Sequence, residues 1–329
     1  MPYIEKSSLT PPFFLRNPHL QTLFPQKVRK VKGVTYSRRR IDTPDGDFLD
    51  LDWSEQDRSR CAVLFHGLEG HSYRPYMLGM VRALNRAGWD TVSVNLRGCS
   101  GEPNLLARAY HQGSSDDVAT AVDHVAAKAY SSLSIIGFSL GANIVLKYLG
   151  EPQWDKPQSL RGAVAVSAPC DVPSCAANIE RPENRGYLRY FITMLSQKVI
   201  EKHHRFPEQL PIEGLQAITD FTEFDNRYTA PLNGFANAQE YWEQTSSLPV
   251  LPGITVPTLL LSAIDDPMLT PQCFPRELAR SHRFLTLEAP RFGGHVGFLG
   301  RGRGGNYWHE LRTLAFFDSC GASSQPLFS

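Results

Sequence analysis

The segment IIGFSLGANI (135–144) carries the side chain best suited to chemistry. Ser139 lies between Gly137 and Gly141, with an apolar strand-like run before it and a helix-like run after it. A strand-to-helix turn of this kind exposes the serine hydroxyl, and small residues on either side let strand and helix pass closely. The alternative is an ordinary Gly-Ser turn without chemistry. The strand and helix context favours a nucleophile.

A serine hydroxyl becomes a nucleophile beside a base that is itself oriented by an acid. The expected chain order is serine, acid, histidine, with the acid and the histidine each following a late strand. The strand TLLLSA is followed by IDDP, which offers Asp265 and Asp266, and the strand RFLTLEAP is followed by RFGGHVGF, which offers His295. The sequence therefore predicts a constellation of Ser139, His295 and one of these two aspartates.

Acyl transfer builds negative charge on the carbonyl oxygen, and two backbone N–H groups usually stabilise that charge. One donor follows the nucleophile, which is Leu140 here, at a helix N-terminus whose dipole helps. The second donor belongs to the loop after the early strand AVLFHG, where Gly67 lets the backbone turn beneath the site. The Leu68 N–H is the predicted second donor.

These residues need a parallel sheet to bring them together, because the carboxyl ends of parallel strands share one edge. Short β-branched runs alternate with amphipathic segments along most of the chain, which indicates a parallel sheet with helices on both faces. Eight strand-like runs are present: a hairpin at 34–53 with its turn at Pro44-Asp45-Gly46, then CAVLFHG, DTVSVNL, SLSIIGF, GAVAVSAP, VPTLLLSA and RFLTLEAP. The Pro-rich first 25 residues or so are expected to be irregular.

The alternation of strands and helices is interrupted at 172–252, where helical and aromatic-rich stretches replace the strand-like runs. This interruption predicts a helical lid inserted over the ligand-binding edge of the sheet. We therefore expect a first part of the core at 1–171, the lid at 172–252 and a second part of the core at 253–329.

Composition excludes several classes of protein. The chain has 329 residues, with 34 Lys and Arg against 33 Asp and Glu, so net charge gives no reason to expect nucleic acid as a partner. The basic run at 27–40 could bind nucleic acid or an anionic membrane, but without regularly interleaved aromatic residues it is interpreted as a solvated hairpin face. Six scattered cysteines and no apolar run of membrane-spanning length favour a cytoplasmic protein without stable membrane insertion. No metal or cofactor is expected, since the segment HELRT (309–313) has threonine where HExxH needs its second histidine.

Beyond the Ser, Asp and His order, the chain resembles the α/β hydrolases, specifically their YheT-like branch. The resemblance spans nearly the whole sequence. GxSxG is specific only to the superfamily, whereas NPHLQT and RGCSGEPN are much narrower. The matching segments are NPHLQT (17–22), PDGDFLDLDW (44–53), HGLEG (66–70), NLRGCSGEPN (95–104), GFSLGAN (137–143), SAPCD (167–171) and GGHVGF (293–298).

The resemblance implies the α/β-hydrolase fold, with a mostly parallel eight-stranded sheet and a helical lid. It also implies a serine esterase that cleaves carboxylic esters of short- to medium-chain acyl groups, a small-molecule substrate class. In similar hydrolases a turn residue and two apolar residues follow the acid, which favours Asp266 over Asp265. Two alternatives stay open: an acyltransferase that passes the acyl group to an alcohol, and a catalytically silent fold used for binding. The oligomeric state is not predicted.

Overall fold

An eight-stranded sheet forms the centre of the protein, in a computed structural model that describes residues 3–4, 7–300 and 304–322. The strands in chain order are β1 (Ser37–Asp42), β2 (Phe48–Ser54), β3 (Arg60–Phe65), β4 (Asp90–Asn95), β5 (Ser132–Phe138), β6 (Leu160–Val166), β7 (Thr258–Leu261) and β8 (Leu285–Glu288). They lie in the order β1-β2-β4-β3-β5-β6-β7-β8. β1 and β4 both pair antiparallel with β2, and every pair of neighbouring strands from β4 to β8 in this order is parallel. The predicted fold class is confirmed.

Helices cover both faces of this sheet. They are α1 (Pro18–Val28), α2 (Pro75–Arg86), α3 (Ser115–Ala126), α4 (Leu140–Gly150), α5 (Val172–Ile179), α6 (Arg185–His203), α7 (Phe221–Phe224), α8 (Ala230–Leu232), α9 (Ala238–Thr245), α10 (Arg276–Ser281) and α11 (Trp308–Ala322). Alternate residues of β3 face opposite sides: Val63 packs with α3 and α4, whereas Leu64 packs with α2 and α11. Because both faces are buried, apolar residues predominate in strands such as β3, β6 and β7, as is typical of parallel sheets.

The expectation that the first 25 residues are irregular is wrong, because α1 begins at Pro18. The Asn17 side chain accepts a hydrogen bond from the Leu20 amide at 3.0 Å and so caps the helix. Proline at the first helical position has a φ already suited to the helix and lacks only an N–H that would be unpaired there. The helix start signal was therefore present in the sequence, although the prolines around it suggested an irregular segment.

The chain between β6 and β7 forms α5 to α9 and short 3-10 and π turns, without a strand among its residues. These helices enclose two apolar clusters of their own, one around Ile192 and Phe224 and the other around Tyr241 and Trp242. No helix in the described part of the chain combines the length and apolar character that crossing a membrane requires.

A buried arginine joins the antiparallel edge of the sheet to its helical layer. Arg97 follows β4, and its guanidinium lies 2.9 Å from Asp45, 3.2 Å from Asp47 and 2.7 Å from Asp117. The side chains of Arg97, Asp47 and Asp117 are at most 2% exposed. Burial of several carboxylates around one cation is tolerated because each of them is hydrogen-bonded to it.

We predict that Arg97→Met lowers the free energy of unfolding by about 3–5 kcal/mol, because it leaves buried carboxylates without a counter-charge. Urea denaturation followed by circular dichroism measures the change. Arg161→Met is the matched control, since Arg161 is exposed and forms no ion pair with any described residue. Equal urea midpoints for the two variants would contradict the role of the Arg97 network.

Candidate active site

Ser139 occupies a strained turn between β5 and α4. Its backbone has φ 53° and ψ −121°, a conformation that residues other than glycine rarely adopt. Such a residue costs on the order of 1–3 kcal/mol and persists only where the surroundings hold it. The Ser139 amide donates to the Val166 carbonyl of the neighbouring strand at 2.9 Å, so the strained residue stays attached to the sheet.

Two glycines make this turn possible by letting backbone pass against backbone. A Cβ on Gly137 would overlap the Gly141 carbonyl and the Ala142 backbone of the following helix. A Cβ on Gly141 would overlap the carbonyl oxygens of Phe65 and His66 at the end of β3. Both positions therefore exclude any side chain, which explains the GxSxG spacing in steric terms.

The three side chains predicted at the sheet edge form one hydrogen-bonded chain. The Ser139 Oγ lies 2.8 Å from His295 Nε2, and His295 Nδ1 lies 2.8 Å from Asp266 Oδ2. The Asp266 side chain is completely buried, and its Oδ1 accepts from the Met268 amide at 2.9 Å. An ionised carboxylate only accepts, so in neutral histidine Nδ1 carries the proton and Nε2 is free to accept from the serine hydroxyl.

The neighbouring Asp265 has a different environment. Its Oδ1 accepts from the Gly294 amide at 2.9 Å, one residue before His295 in the chain. Burial raises the pKa of the Asp265 carboxyl, which the Gly294 hydrogen bond opposes. The structure thus brings Asp266 to the imidazole and Asp265 to the backbone of the loop that carries it.

Helix α1 holds the histidine loop from the other side. The Thr22 Oγ1 accepts from the His295 amide at 2.9 Å, and Gln21 Oε1 accepts from the Leu299 amide at 2.6 Å. The Gln21 amide nitrogen also donates to the Leu299 carbonyl at 3.2 Å. Sequence reasoning missed both residues. The available signal was the segment NPHLQT. Two of its polar residues, Gln21 and Thr22, are buried although they lie on a short surface helix.

The loop after β3 passes directly over the nucleophile. A Cβ built on Gly67 would lie 2.9 Å from the Ser139 Cβ. The Gly67 amide donates to the Tyr76 hydroxyl at 3.1 Å, and the Glu69 amide donates to the Tyr110 hydroxyl at 2.7 Å. The Leu68 amide between them donates to no protein group that the structure describes.

The second predicted donor, Leu140, is the first residue of α4. Its amide likewise has no acceptor within the described residues, as expected for the first turn of a helix. Leu68, Leu140 and Ser139 all line the same cavity. Two amides without an acceptor among the described residues and a serine hydroxyl therefore meet at one place, an arrangement that can bind an oxyanion.

His66 fixes the loop that carries Leu68. Its Nε2 accepts from the Leu96 amide at 3.1 Å, so Nδ1 carries the proton and donates to the Gly67 carbonyl at 2.8 Å. Complete burial lowers the pKa of His66 to about 3, which keeps the ring neutral. A neutral imidazole with both nitrogens engaged has a structural part in this loop.

Helix α6 is connected to the same loop by a buried ion pair. Lys198 Nζ lies 3.0 Å from Glu69 Oε1, and the Tyr110 hydroxyl is within hydrogen-bond distance of the same carboxylate at 2.6 Å. Glu69 itself has φ 53°, so its backbone is strained as well. The loop conformation next to the serine thus depends on a lysine from the helices between β6 and β7.

Two cavities meet at Ser139. The inner cavity has a volume of about 120 Å³ and lies between the sheet edge and the helices that follow β6. The outer cavity, of about 640 Å³, opens beside α1. Leu68, Ser139 and His295 line both of them, so the hydroxyl lies where the cavities join. The inner cavity is further lined by Val172, Cys175, Ala176, Ile179, Phe221, Tyr241, Trp242 and Leu269.

A strained serine at a strand-to-helix turn, hydrogen-bonded through histidine to aspartate on an eight-stranded sheet, is the arrangement of an α/β hydrolase. The family model for the alpha/beta hydrolase fold matches residues 63–276. The chain is 36% identical over 292 residues to the Escherichia coli (strain K12) protein named "Putative esterase YheT". The aligned region covers 86% of this chain and 85% of that protein. The chain belongs to the α/β-hydrolase family, in its YheT-like branch.

Other relatives and solved structures agree with this assignment. The chain is 30% identical to human phospholipase ABHD3, over 85% of this chain and 70% of that protein, and 29% identical to monoacylglycerol lipase of Saccharomyces cerevisiae, over 83% and 61%. The Pyrococcus furiosus esterase Pf2001 has the same fold at 16% identity, with a TM-score of 0.59 over 89% of this chain and 96% of that chain. The protein is an α/β hydrolase of the esterase and lipase type.

We predict that Gly141→Ala destabilises the protein by more than about 3 kcal/mol, because the added methyl group overlaps the carbonyl oxygens at the end of β3 and neither backbone can move freely. Gly186→Ala is the matched control. Gly186 lies in the first turn of α6 with nothing within 4 Å of its added Cβ, so alanine there should raise stability by about 0.5–1 kcal/mol. Thermal denaturation of both variants tests the steric argument. Equal melting temperatures would contradict it.

Proposed function

We propose that the protein is a serine esterase that hydrolyses carboxylic esters through an acyl-enzyme on Ser139. The observation that carries the proposal is the unbroken hydrogen-bonded chain from Ser139 through His295 to buried Asp266, with the serine facing two cavities. His295 Nε2 accepts the hydroxyl proton as Ser139 Oγ attacks the ester carbonyl. Asp266 holds the imidazole in the right tautomer and stabilises the imidazolium that forms.

The carbonyl oxygen that becomes negative is bound by the Leu68 and Leu140 amides. Both are unpaired among the described residues, so no existing hydrogen bond must break when the charge develops. His295 then gives its proton to the leaving alcohol, and the acyl group stays on Ser139. A water molecule attacks this ester by the same proton transfers in reverse order, which releases the acid and restores the hydroxyl.

The inner cavity suits a short acyl chain. Its volume of about 120 Å³ is less than a fifth of the 640 Å³ of the outer cavity, which favours a short alkyl chain over a bulky group. Its lining is mostly apolar, with polar residues such as Gln112 and Thr229 among it, and this favours an alkyl chain over a charged substituent. This size supports acyl groups near butanoyl and hexanoyl as substrates.

The outer cavity suits the alcohol part of the ester. It is about five times larger and is lined by the polar and charged side chains of His19, Gln26, Lys27, Arg74 and Glu183. A wide opening lets the alcohol leave and water enter, which supports hydrolysis over retention of the acyl group for transfer. The leaving alcohol can therefore be much bulkier than the acyl chain.

Residues 172–252 act as the lid over this site. Helices α5, α6 and α9 supply one wall of the inner cavity, and Lys198 of α6 holds the loop that bears Leu68. An inserted segment that both shapes the acyl cavity and supports an oxyanion donor couples substrate binding to catalysis. Residues 1–171 and 253–329, as far as they are described, supply the sheet and the triad.

We predict that Ser139→Ala and Asp266→Asn each lower kcat for p-nitrophenyl butyrate by about 10⁴-fold or more, since the triad acts as a unit. Asp265→Asn is the matched control. An asparagine oxygen still accepts from the Gly294 amide, so this variant should stay within about tenfold of the original protein.

A fluorophosphonate probe should add its mass to Ser139 in the unaltered protein and not in Ser139→Ala, as seen by mass spectrometry of the tryptic peptide. Rapid hydrolysis by Ser139→Ala would refute the proposed nucleophile. An intact, folded protein that neither labels nor hydrolyses any ester would indicate a binding protein instead.

We predict that Ala176→Leu narrows the inner cavity and shifts the preferred ester from butyrate or hexanoate to acetate. Ala176 lines the inner cavity, so the larger leucine side chain takes space from the acyl group and should disfavour the longer chains most. Ala177→Leu is the matched control, because Ala177 is exposed on the same helix. The measurement is kcat/KM across p-nitrophenyl esters of graded length. An unchanged chain-length profile in Ala176→Leu would place the acyl group elsewhere.

A further inference from the structure

Six apolar side chains form an exposed surface on the N-terminal arm, which we call the arm surface. Phe13 and Phe14 are 84% and 72% exposed and belong to a 3-10 turn, and the others lie on α1. The arm surface consists of Phe13, Phe14, Leu20, Leu23, Phe24 and Val28. Exposed apolar residues scattered singly need no explanation, but six on one short segment indicate a surface that is covered in use.

Helix α1 has its apolar face turned outward. A surface helix of a globular protein normally buries its apolar stripe and exposes its polar residues. Here Gln21 and Thr22 are buried against the histidine loop, whereas Leu20, Leu23 and Phe24 are 42–47% exposed. The polar face cannot turn away, because it holds the loop of His295. The apolar face is therefore fixed toward solvent by the same contacts that build the active site.

The surroundings of the arm surface are basic. Residues 6–41 contain nine Lys and Arg residues and no Asp or Glu. Four of these arginines are neutralised: Arg29 pairs with Glu310, Arg38 with Asp52, Arg39 with Glu55, and Arg40 with Asp50 and Glu102. This agrees with the sequence-based interpretation for the hairpin arginines. The other described Lys and Arg residues of this segment are not neutralised in this way.

Four cations in residues 16–32, the stretch of chain that carries α1, have no acidic partner among the described residues. Arg16, Lys27, Lys30 and Lys32 are exposed and form no ion pair with any residue that the structure describes. Apolar side chains flanked by unpaired cations are typical of a helix that lies in the plane of an anionic lipid surface. At 11 residues α1 is far too short to span a bilayer, so it can only lie along one.

The arm surface also borders the opening of the outer cavity. Leu23, Gln26 and Lys27 of α1 line that cavity together with Ser139 and His295. A lipid layer in contact with α1 would therefore lie at the entrance through which an ester reaches the serine.

We propose that the arm surface docks the protein on lipid membranes that carry anionic headgroups. The Phe, Leu and Val side chains enter the interface between headgroups and acyl chains, and Arg16, Lys27, Lys30 and Lys32 bind the headgroups. A second copy of the chain fits less well, because a two-fold contact through this surface would bring the unpaired cations of both copies together. Nucleic acid would leave the aliphatic side chains uncovered. The docking stands independently of the proposed ester hydrolysis.

The test is sedimentation of the full chain with large vesicles of phosphatidylcholine alone or of equal parts phosphatidylcholine and phosphatidylglycerol. It uses the Ser139→Ala background, so that the vesicles are not consumed. The unaltered arm should bind the anionic vesicles and bind the neutral ones much more weakly. Phe13→Ser/Phe14→Ser/Phe24→Ser should weaken binding at least ~10-fold, and Lys30→Glu/Lys32→Glu at least ~20-fold.

The matched controls carry substitutions of the same two kinds, apolar to serine and basic to glutamate, at exposed positions outside the arm surface. Leu105→Ser/Ile212→Ser removes exposed apolar groups, and Arg58→Glu/Arg161→Glu reverses exposed charges, both away from the arm. These controls should bind vesicles like the parent. Hydrolysis of dissolved p-nitrophenyl butyrate, measured with Ser139 intact, should be unchanged in all four variants, which shows that the arm variants are folded.

Three results would overturn the proposal: no sedimentation with anionic vesicles, equal binding by the arm variants and their controls, or equal binding to neutral and anionic vesicles. A dimer that the phenylalanine variant dissociates, without vesicle binding, would assign the arm surface to self-association. Retention on an RNA or DNA column without vesicle binding would assign it to nucleic acid. If the unaltered protein hydrolysed no ester, the proposed function would be refuted, but the result of the vesicle experiment would still stand.

Discussion

The positive φ of Ser139 is the constraint on which the rest of the site depends. A serine in this conformation is unfavourable by itself, so it requires a surrounding structure that permits no relaxation. The turn is held by strand pairing on one side and by helix α4 on the other, and Gly137 and Gly141 let these elements approach within backbone contact. The same close approach brings the end of β3 to the serine, which is why the loop bearing Leu68 lies over it.

The other parts of the site are fixed by polar groups that have few alternative partners. Both ring nitrogens of buried, neutral His66 are hydrogen-bonded, which holds the loop after β3 in place. Lys198, from the segment between β6 and β7, forms an ion pair with Glu69 in that loop. The histidine loop is likewise held by Asp265 and by Thr22 of α1. Each support comes from a different part of the chain. A site assembled in this way is rigid only in the complete fold, since most of its supports lie far away in the sequence.

This dependence explains the unusual orientation of α1. The helix serves the active site with its polar face, so its apolar residues have no core to enter. An exposed apolar face is unfavourable for solubility, but it is useful if it contacts a lipid layer at the cavity entrance. One face of α1 would then support the His295 loop and the other would contact a membrane, so that changes to the two faces would have separate effects.

Local patterns in the sequence were enough to predict the sheet, the strand-to-helix turn at Ser139 and the chain order of serine, aspartate and histidine. Strand and helix periodicities, the steric need for glycine beside Ser139 and the placement of candidate residues after strands are all local signals. The choice between Asp265 and Asp266 required a resemblance, because adjacent aspartates on one turn look alike until their directions are known. The tertiary structure decided it by turning Asp266 to the imidazole and Asp265 to the Gly294 amide. The structure alone also decided that α1 is a helix that buries Gln21 and Thr22. Those two residues acquire a function only through contacts with a loop more than 270 positions away in the chain, a separation that no local pattern can report.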